Sequence, residues 1–493
     1  MASEPLFKLT LPRRTWIALA IAWLAVSAAV AGVVGIPYGM FLAWAGIATA
    51  VFVVNPFAGT LGLVFLNVMA ADWGRAFVLF QDKPYNINQA GLANLVITAL
   101  SALYIIRRRP RLAPLTLPFA AFLAAGLISI PFSSSPFAGL RDWTRMLPLA
   151  GLYVVAADLF REAPSRARVW VGALVASGVW PAIVSIYQGL TYRGYHNVIA
   201  GPGQNRMLGT LSHPIAYGVY LGIIVALTIY LFRISERGKT RALLGFWVIA
   251  SLALLFFSYS RGPALAMFGS LIVLALVARR ETAGVRAGLV GMAVVFLVVV
   301  LLAGRIQDLL TPFLYRTVEP VPAGQVKPPR PTPTPPLAGT PQAGPTVPSP
   351  RPAPALNSIS WRLSLWRFAA TLAMERPLVG LGLGGFPVQS PRLVGSAVTP
   401  HNDFVRVCAE MGLLGLGAFV WLWGALARRL FGFWRCASDL PVSLLAAAFL
   451  AMAAGYLVNS LSADLLNNPT VGWVFWPLMA LPEAFAAKTG TQP

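Results

Sequence analysis

The sequence predicts an all-α polytopic membrane protein with about twelve to fourteen transmembrane helices and one long external loop. Three observations predict it. The 493 residues are 57% hydrophobic and only 11% charged, with a mean hydropathy of +0.70, which excludes a soluble domain of this length. Apolar runs close to the roughly 20 residues that cross a hydrocarbon core recur along nearly the whole chain. These runs are continuous, not alternating, which excludes a transmembrane β-barrel.

In chain order the runs fall at 15–34, 38–54, 59–79, 89–106, 115–131, 143–158, 169–190, 213–232, 243–258, 262–278 and 287–303, then at 408–427, 441–461 and 470–486. Segments 59–79 and 143–158 also fit an interfacial position, so the count is left between twelve and fourteen. The first run, WIALAIAWLAVSAAVAGVV, is long enough to span and reads as a retained helix, not a cleaved signal. The chain thus divides into an N-terminal bundle over 1–303 (about eleven helices), an external loop over 304–400 and about three C-terminal helices over 401–493.

With the N-terminus inside, the cations of RRRPR (107–111), FREAPSRAR (160–168), RISERGKTR (233–241), RRETAGVR (279–286) and RRLFGFWR (428–435) all fall on one side. By the positive-inside rule that side is the cytoplasm, and both termini lie there. The net charge of +22 then reflects topology and attraction to anionic headgroups, so the expected partner is the lipid bilayer and not nucleic acid. Cys408 and Cys436 stand at opposite ends of one predicted helix and cannot pair within it.

The external loop has two parts. Its proline-rich insert (320–355) offers no apolar face to bury and is expected to be disordered or semi-rigid. The stretch 358–375 spaces Trp361, Leu365, Phe368 and Leu372 at intervals of four, three and four, which predicts an amphipathic helix carrying Arg362 and Arg367. Pro377 ends it, and GLGLGGF supplies glycines for an irregular turn. His401 and Asn402 close the loop at the outer membrane boundary. Two more external loops bring Arg261, in a tight hairpin ahead of Gly262 and Pro263, and Arg206 with His213, at the top of a helix. Several guanidiniums and two imidazoles on one face suit a polyphosphate, because the planar fork of arginine binds phosphate oxygens bidentately.

Plainer readings stand beside these. A boundary arginine also serves as a snorkelling anchor. His213 before Pro214 fits a helix cap, Glu410 fits a packing pair with Arg406 at i, i+4, Asp464 is expected to be solvated, and Asp72 fits an interfacial position or a pair with Arg75.

The order of motifs resembles the O-antigen ligase and O-antigen polymerase family of bacterial membrane glycosyltransferases. R-x-x-G-T with a following proline (206–214) and S-R-G (260–262) precede the long loop. That loop holds W-R-x-x-x-W (361–366), R-P-L-x-G-x-G-x-G-x-F (376–386) and H-N-x-F (401–404), and E-x-G-x-x-G (410–415) follows it. The resemblance covers roughly residues 200 to 430; the first seven helices match only in kind, and the proline-rich insert departs from the pattern. It implies a GT-C-like membrane glycosyltransferase fold, a bacterial cytoplasmic-membrane location and a site on the external side. The implied reaction moves a preassembled glycan from an undecaprenyl diphosphate carrier to a hydroxyl of a glycolipid, glycan or protein acceptor, with inversion and with no metal or cofactor. On this reading Arg261, Arg362 and Arg206 hold the diphosphate, and Arg367 contributes to substrate binding. His401 activates the acceptor hydroxyl or orients it, Asn402 orients the ring or contacts sugar, and His213 lines the substrate site. Ligase, polymerase and protein-glycosylating activities share this donor chemistry, and the ligase is slightly favoured. The rival class is a transporter, which would show ionisable groups at mid-membrane depth or an internal repeat; the sequence shows neither.

Overall fold

The structure is a computed structural model that describes residues 13–33, 36–70, 89–191, 195–196, 205–314 and 358–485. The proline-rich insert and the Asp72–Arg75 pair lie outside the described residues. The described chain is helical almost throughout. Its N-terminal part comprises α1 (Arg13–Val33), α2 (Ile36–Val54), α3 (Pro56–Ala70), α4 (Gln89–Arg108), α5 (Thr116–Ser129), α6 (Pro136–Glu162), α7 (Arg166–Ser177) and α8 (Val179–Thr191). A two-residue antiparallel pairing joins β1 (Tyr195–His196) to β2 (Asn205–Arg206). Then come α9 (Pro214–Ile234), α10 (Gly238–Phe257), α11 (Arg261–Val277), α12 (Ala283–Leu314), α13 (Ser358–Glu375), two single turns α14 (Phe386–Gln389) and α15 (Pro391–Val394), α16 (Asp403–Cys436), α17 (Leu440–Ser460) and α18 (Pro469–Met479).

Among the described residues, seven helical segments are long and apolar enough to cross a membrane, and five shorter apolar helices join them. The protein is an all-α polytopic membrane protein. Of the apolar window of α9, 78% is buried, against 11% for α12, so α9 is the axis of the bundle and α12 its rim. On the rim, Ile249, Val295 and Leu301 are 69, 63 and 71% exposed, a surface suited to lipid and not to water.

Lipid is as apolar as leucine, so contact between helices depends on close fit and small residues. The pairing of α11 with α17 shows this: Ala446, Ala447, Ala448 and Ala451 are fully buried, and Ser270 Oγ donates to Ala451 O at 2.9 Å. An aromatic group fills the centre, where Tyr456 stacks on Phe475 at 4.2 Å and Trp423 lies 5.9–6.1 Å from Tyr456, Phe475 and Trp476.

Segment 143–158, which the sequence allows at the interface, instead lies inside α6, a 27-residue helix with Leu152, Val155, Ala156 and Phe160 fully buried. In the final predicted run, 470–486, the helix ends at Met479, a turn covers 480–482 and helical residues resume at 483–485. Pro477 and Pro482 remove donors, and the chain continues in i, i+3 turns to Phe485.

The connections gather at two ends. At one end ion pairs close the bundle: Arg108 and Arg166 on Glu162, Arg233 on Glu281, and Arg161 with Arg429 on Glu483. At the other end lie residues 130–135, 206–213, 258–261, 376–403 and 461–468, which contact one another through the groups described next.

Candidate functional site

Helix α13 buries Leu365, Ala369 and Leu372 against Phe386 and Ala409, with Trp361 and Phe368 partly buried beside them. This places the helix along the first half of α16. The Trp366 indole Nε1 donates to Pro400 O at 2.8 Å and fixes the residue before His401. The residues after it are fixed as well. Asn402 caps α16 by accepting from Val405 N at 3.1 Å and donates from Nδ2 to Leu461 O at 3.0 Å, and Asp403 accepts from Leu466 N at 3.2 Å.

Between these tethers His401 adopts φ 55°, a left-handed conformation that costs of order 1–3 kcal/mol and persists only when its surroundings over-determine it. Its ring lies 5.4 Å from the Trp361 ring and makes no hydrogen bond among the described residues. Arg362 stands next to that tryptophan. Its Nε is buried without a partner, and it forms no ion pair among the described residues. Burial and the nearby Arg362 cation lower the His401 pKa from its ordinary value, against a smaller opposing pull from Asp464, and burial also lowers that of Arg362. The site therefore presents a neutral imidazole beside a cation that lacks a counter-ion.

Directly beneath lies Arg406, 1% exposed, whose guanidinium reaches Asp142 at 2.6 Å, Glu410 at 3.0 Å and Asp464 at 3.1 and 3.2 Å. Asp142 also accepts from Arg141 and Arg145, each at 3.2 Å. This network joins α6, α16 and the loop after α17, and it runs on through Asp403 to Leu466. The Arg406–Glu410 pair suggested by i, i+4 spacing is present. The expectation of a solvated Asp464 is overturned: it is buried, because Arg406 and Asn467 Nδ2, 2.7 Å away, draw it inward. Asp142, Arg141, Arg145 and Asp403 were missed. The available signal was the charge density of RDWTR at the start of an apolar helix.

Beside the network α16 is interrupted at Gly412 (φ 62°, ψ −162°). The interruption frees Ala409 O, which accepts from Leu381 N at 2.9 Å, and it frees the N–H groups of Leu413 and Leu414, which donate to Pro377 O at 2.8 Å and Leu378 O at 3.2 Å. Non-helical backbone inside a bundle needs such partners. A Cβ at Gly380 would stand 2.6 Å from Ala409 O, and one at Gly412 would strike the Leu378 carbonyl. Glu410 Oε1 accepts from Phe386 N at 3.2 Å. The glycine-rich run and E-x-G-x-x-G are thus two sides of one contact, which holds α13 and His401 over Arg406.

The remaining predicted site residues divide. Arg206 donates to Ser258 O at 3.1 Å and Ser260 Oγ at 2.8 Å, which anchors it on the hairpin that carries Arg261. Arg261 is exposed and unpaired among the described residues. The start of its helix faces Ser462 and Asn459, beside the Leu461 carbonyl that holds Asn402, so Arg261 and His401 flank one turn. His213 caps α9, its Nδ1 accepting from Ile215 N at 3.1 Å. The Asn402 amide is engaged at both ends with backbone, accepting from Val405 N and donating to Leu461 O. Arg367 is exposed, about 140° around the helix from Arg362, and is not brought to His401.

The sequence profile of the O-antigen ligase family matches residues 246–420. The match covers about a third of the chain and supports a relationship to the O-antigen ligase family. It contains Arg261, Arg362, Arg367, His401, Asn402, Arg406 and Glu410, whereas Asp142, Arg206, His213 and Asp464 lie outside it. The match supports, in general terms, glycan transfer of the ligase or polymerase kind in a membrane setting. No curated protein matches the chain significantly.

Proposed function

We propose that the protein transfers a preassembled glycan from an undecaprenyl diphosphate carrier to an acceptor hydroxyl, by inverting displacement on the external face of the cytoplasmic membrane. The observation that carries this reading is the pairing of His401, whose pKa is lowered and which makes no hydrogen bond among the described residues, with Arg362, half-buried, its Nε without a partner and with no counter-ion among those residues. Displacement at an anomeric carbon needs a group that takes a proton and a group that takes a negative charge. In the proposed step the acceptor oxygen attacks the anomeric carbon while His401 removes its proton. The bond from that carbon to the phosphate oxygen breaks, and its electron pair leaves with the diphosphate. Arg362 and Arg261 then hold the charge that develops there. Arg206 positions the Arg261 hairpin, and Asn402 fixes the backbone that aims His401.

In this reading fixed guanidiniums supply the charge neutralisation, so the reaction requires no metal. The test is transfer by the purified protein from an undecaprenyl-diphosphate-linked oligosaccharide, without ATP and with EDTA present, with products resolved on a gel. A single band shifted onto an added acceptor establishes a metal-independent ligase. A ladder on the lipid carrier makes the protein a polymerase with the same donor chemistry. No product with any acceptor, together with donor movement across a proteoliposome bilayer, overturns the transferase reading.

A further inference from the structure

A cavity of about 510 Å³ lies far from His401. It opens at the opposite end of the bundle, beside the last two turns of α16, a helix of 34 residues that spans about 50 Å. Its walls include Val171, Tyr230 and Leu445, and its rim carries Arg168, Arg429 and Cys436.

The charges at this rim are incompletely matched. Arg161 and Arg429 share the single carboxylate of Glu483, through Nη2 at 2.5 Å and 2.8 Å, which leaves that trio with one excess positive charge. The Nε of Arg429 is buried without a partner. Arg168 is exposed and forms no ion pair among the described residues. One carboxylate, Asp439, also lines the cavity, and its Oδ1 accepts from Val442 N at 2.7 Å as the cap of α17. A fork with a free donor calls for an anion. Walls of valine, leucine and tyrosine call for hydrocarbon. The volume falls in the ~300–1,000 Å³ range of small-molecule sites.

We infer that this cavity binds one anionic phospholipid, with its phosphate between Arg168 and Arg429 and an acyl chain along Val171 and Leu445. Anionic headgroups collect at the arginine-rich side of a membrane protein, which gives the site its supply. This inference is independent of the transfer reaction.

Cys436 is an exposed free thiol at the rim and reports occupancy directly. The experiment follows alkylation of Cys436 by a maleimide in detergent-solubilised Cys408→Ala protein with added dioleoylphosphatidylglycerol, dioleoylphosphatidylcholine or inorganic phosphate. At about ten times its dissociation constant, phosphatidylglycerol should slow the reaction ~10-fold. Phosphatidylcholine and inorganic phosphate should leave it unchanged. Arg168→Gln should remove most of the protection, whereas Arg237→Gln, an exposed arginine at the same end and outside the cavity, should retain it. Equal protection by phosphatidylcholine, protection by phosphate alone, or undiminished protection in Arg168→Gln would each overturn the inference. The lipid comparison in otherwise wild-type protein decides it even if a variant fails to fold.

Discussion

Arg406 and Arg362 lie at the same end of the bundle, and their surroundings are opposites. Arg406 is enclosed by Asp142, Glu410 and Asp464, so every side of its fork is matched. Arg362 has tryptophan and imidazole for neighbours and an Nε with no acceptor. A partly buried cation with an unmatched donor is costly, and groups perturbed in this way cluster at functional sites. The difference underlies the proposed division of roles: Arg406 holds three segments together, while in the proposed mechanism Arg362 meets the charge of the substrate.

The largest effect expected from this contrast is on stability. Arg406→Gln leaves three carboxylates crowded without their cation and should cost about 3–5 kcal/mol. It should appear as a large fall in the detergent thermal midpoint, with a shift for Arg362→Gln that is small by comparison. Equal shifts for the two variants would break the distinction.

His401→Ala is the next largest. Loss of a general base lowers rate by about 10²–10⁴-fold, and His401 leaves no hydrogen bond unmatched when removed. Transfer should be nearly abolished while carrier binding and the thermal midpoint survive. Wild-type turnover would remove His401 from the mechanism. Arg362→Gln follows, with transfer lowered ~10²–10³-fold, the usual loss when one stabiliser of developing negative charge is removed. A change in the acceptor's KM alone, with kcat intact, would assign Arg362 to acceptor recognition instead.

The same contrast explains what could be read from the sequence. Polytopic class was legible because each span is a local run of apolar residues. Arg362 and His401 could be named because both sit where a helix or loop meets the membrane boundary, within short motifs. The surroundings of Arg406 could not be read in full. Only Glu410 is local to it at i, i+4, while Asp142 and Asp464 come from 264 and 58 residues away. Asp464 lies in a short polar loop that looks solvated until those partners are known. The interruption at Gly412 was equally hidden, since the apolar run continues through it and the partners that permit it, Pro377 and Leu378, lie in the preceding loop.

The smallest effect is the sharpest test of how the two halves of the site communicate. In the proposed mechanism transfer requires neutral His401, so its rate should fall on the acid side as the imidazole gains a proton. The Arg362 cation and burial both disfavour the imidazolium, so the acid limb should lie below the ordinary histidine value of about 6.5. Removing the cation makes protonation easier, raises the His401 pKa and moves the limb to higher pH. The residual activity of Arg362→Gln should therefore show its acid limb above that of wild type, whereas Arg362→Lys, which keeps the charge, should leave the limb near its wild-type position. Asp464 acts with the opposite sign, but it also holds Arg406, so substitution there mixes electrostatics with stability and makes a poorer probe. A pH–rate profile for the wild type and the two Arg362 variants decides the matter. An acid limb that stays in place when the charge is removed would mean that Arg362 and His401 share a location without sharing a field, and the base would then have to be sought elsewhere in the site.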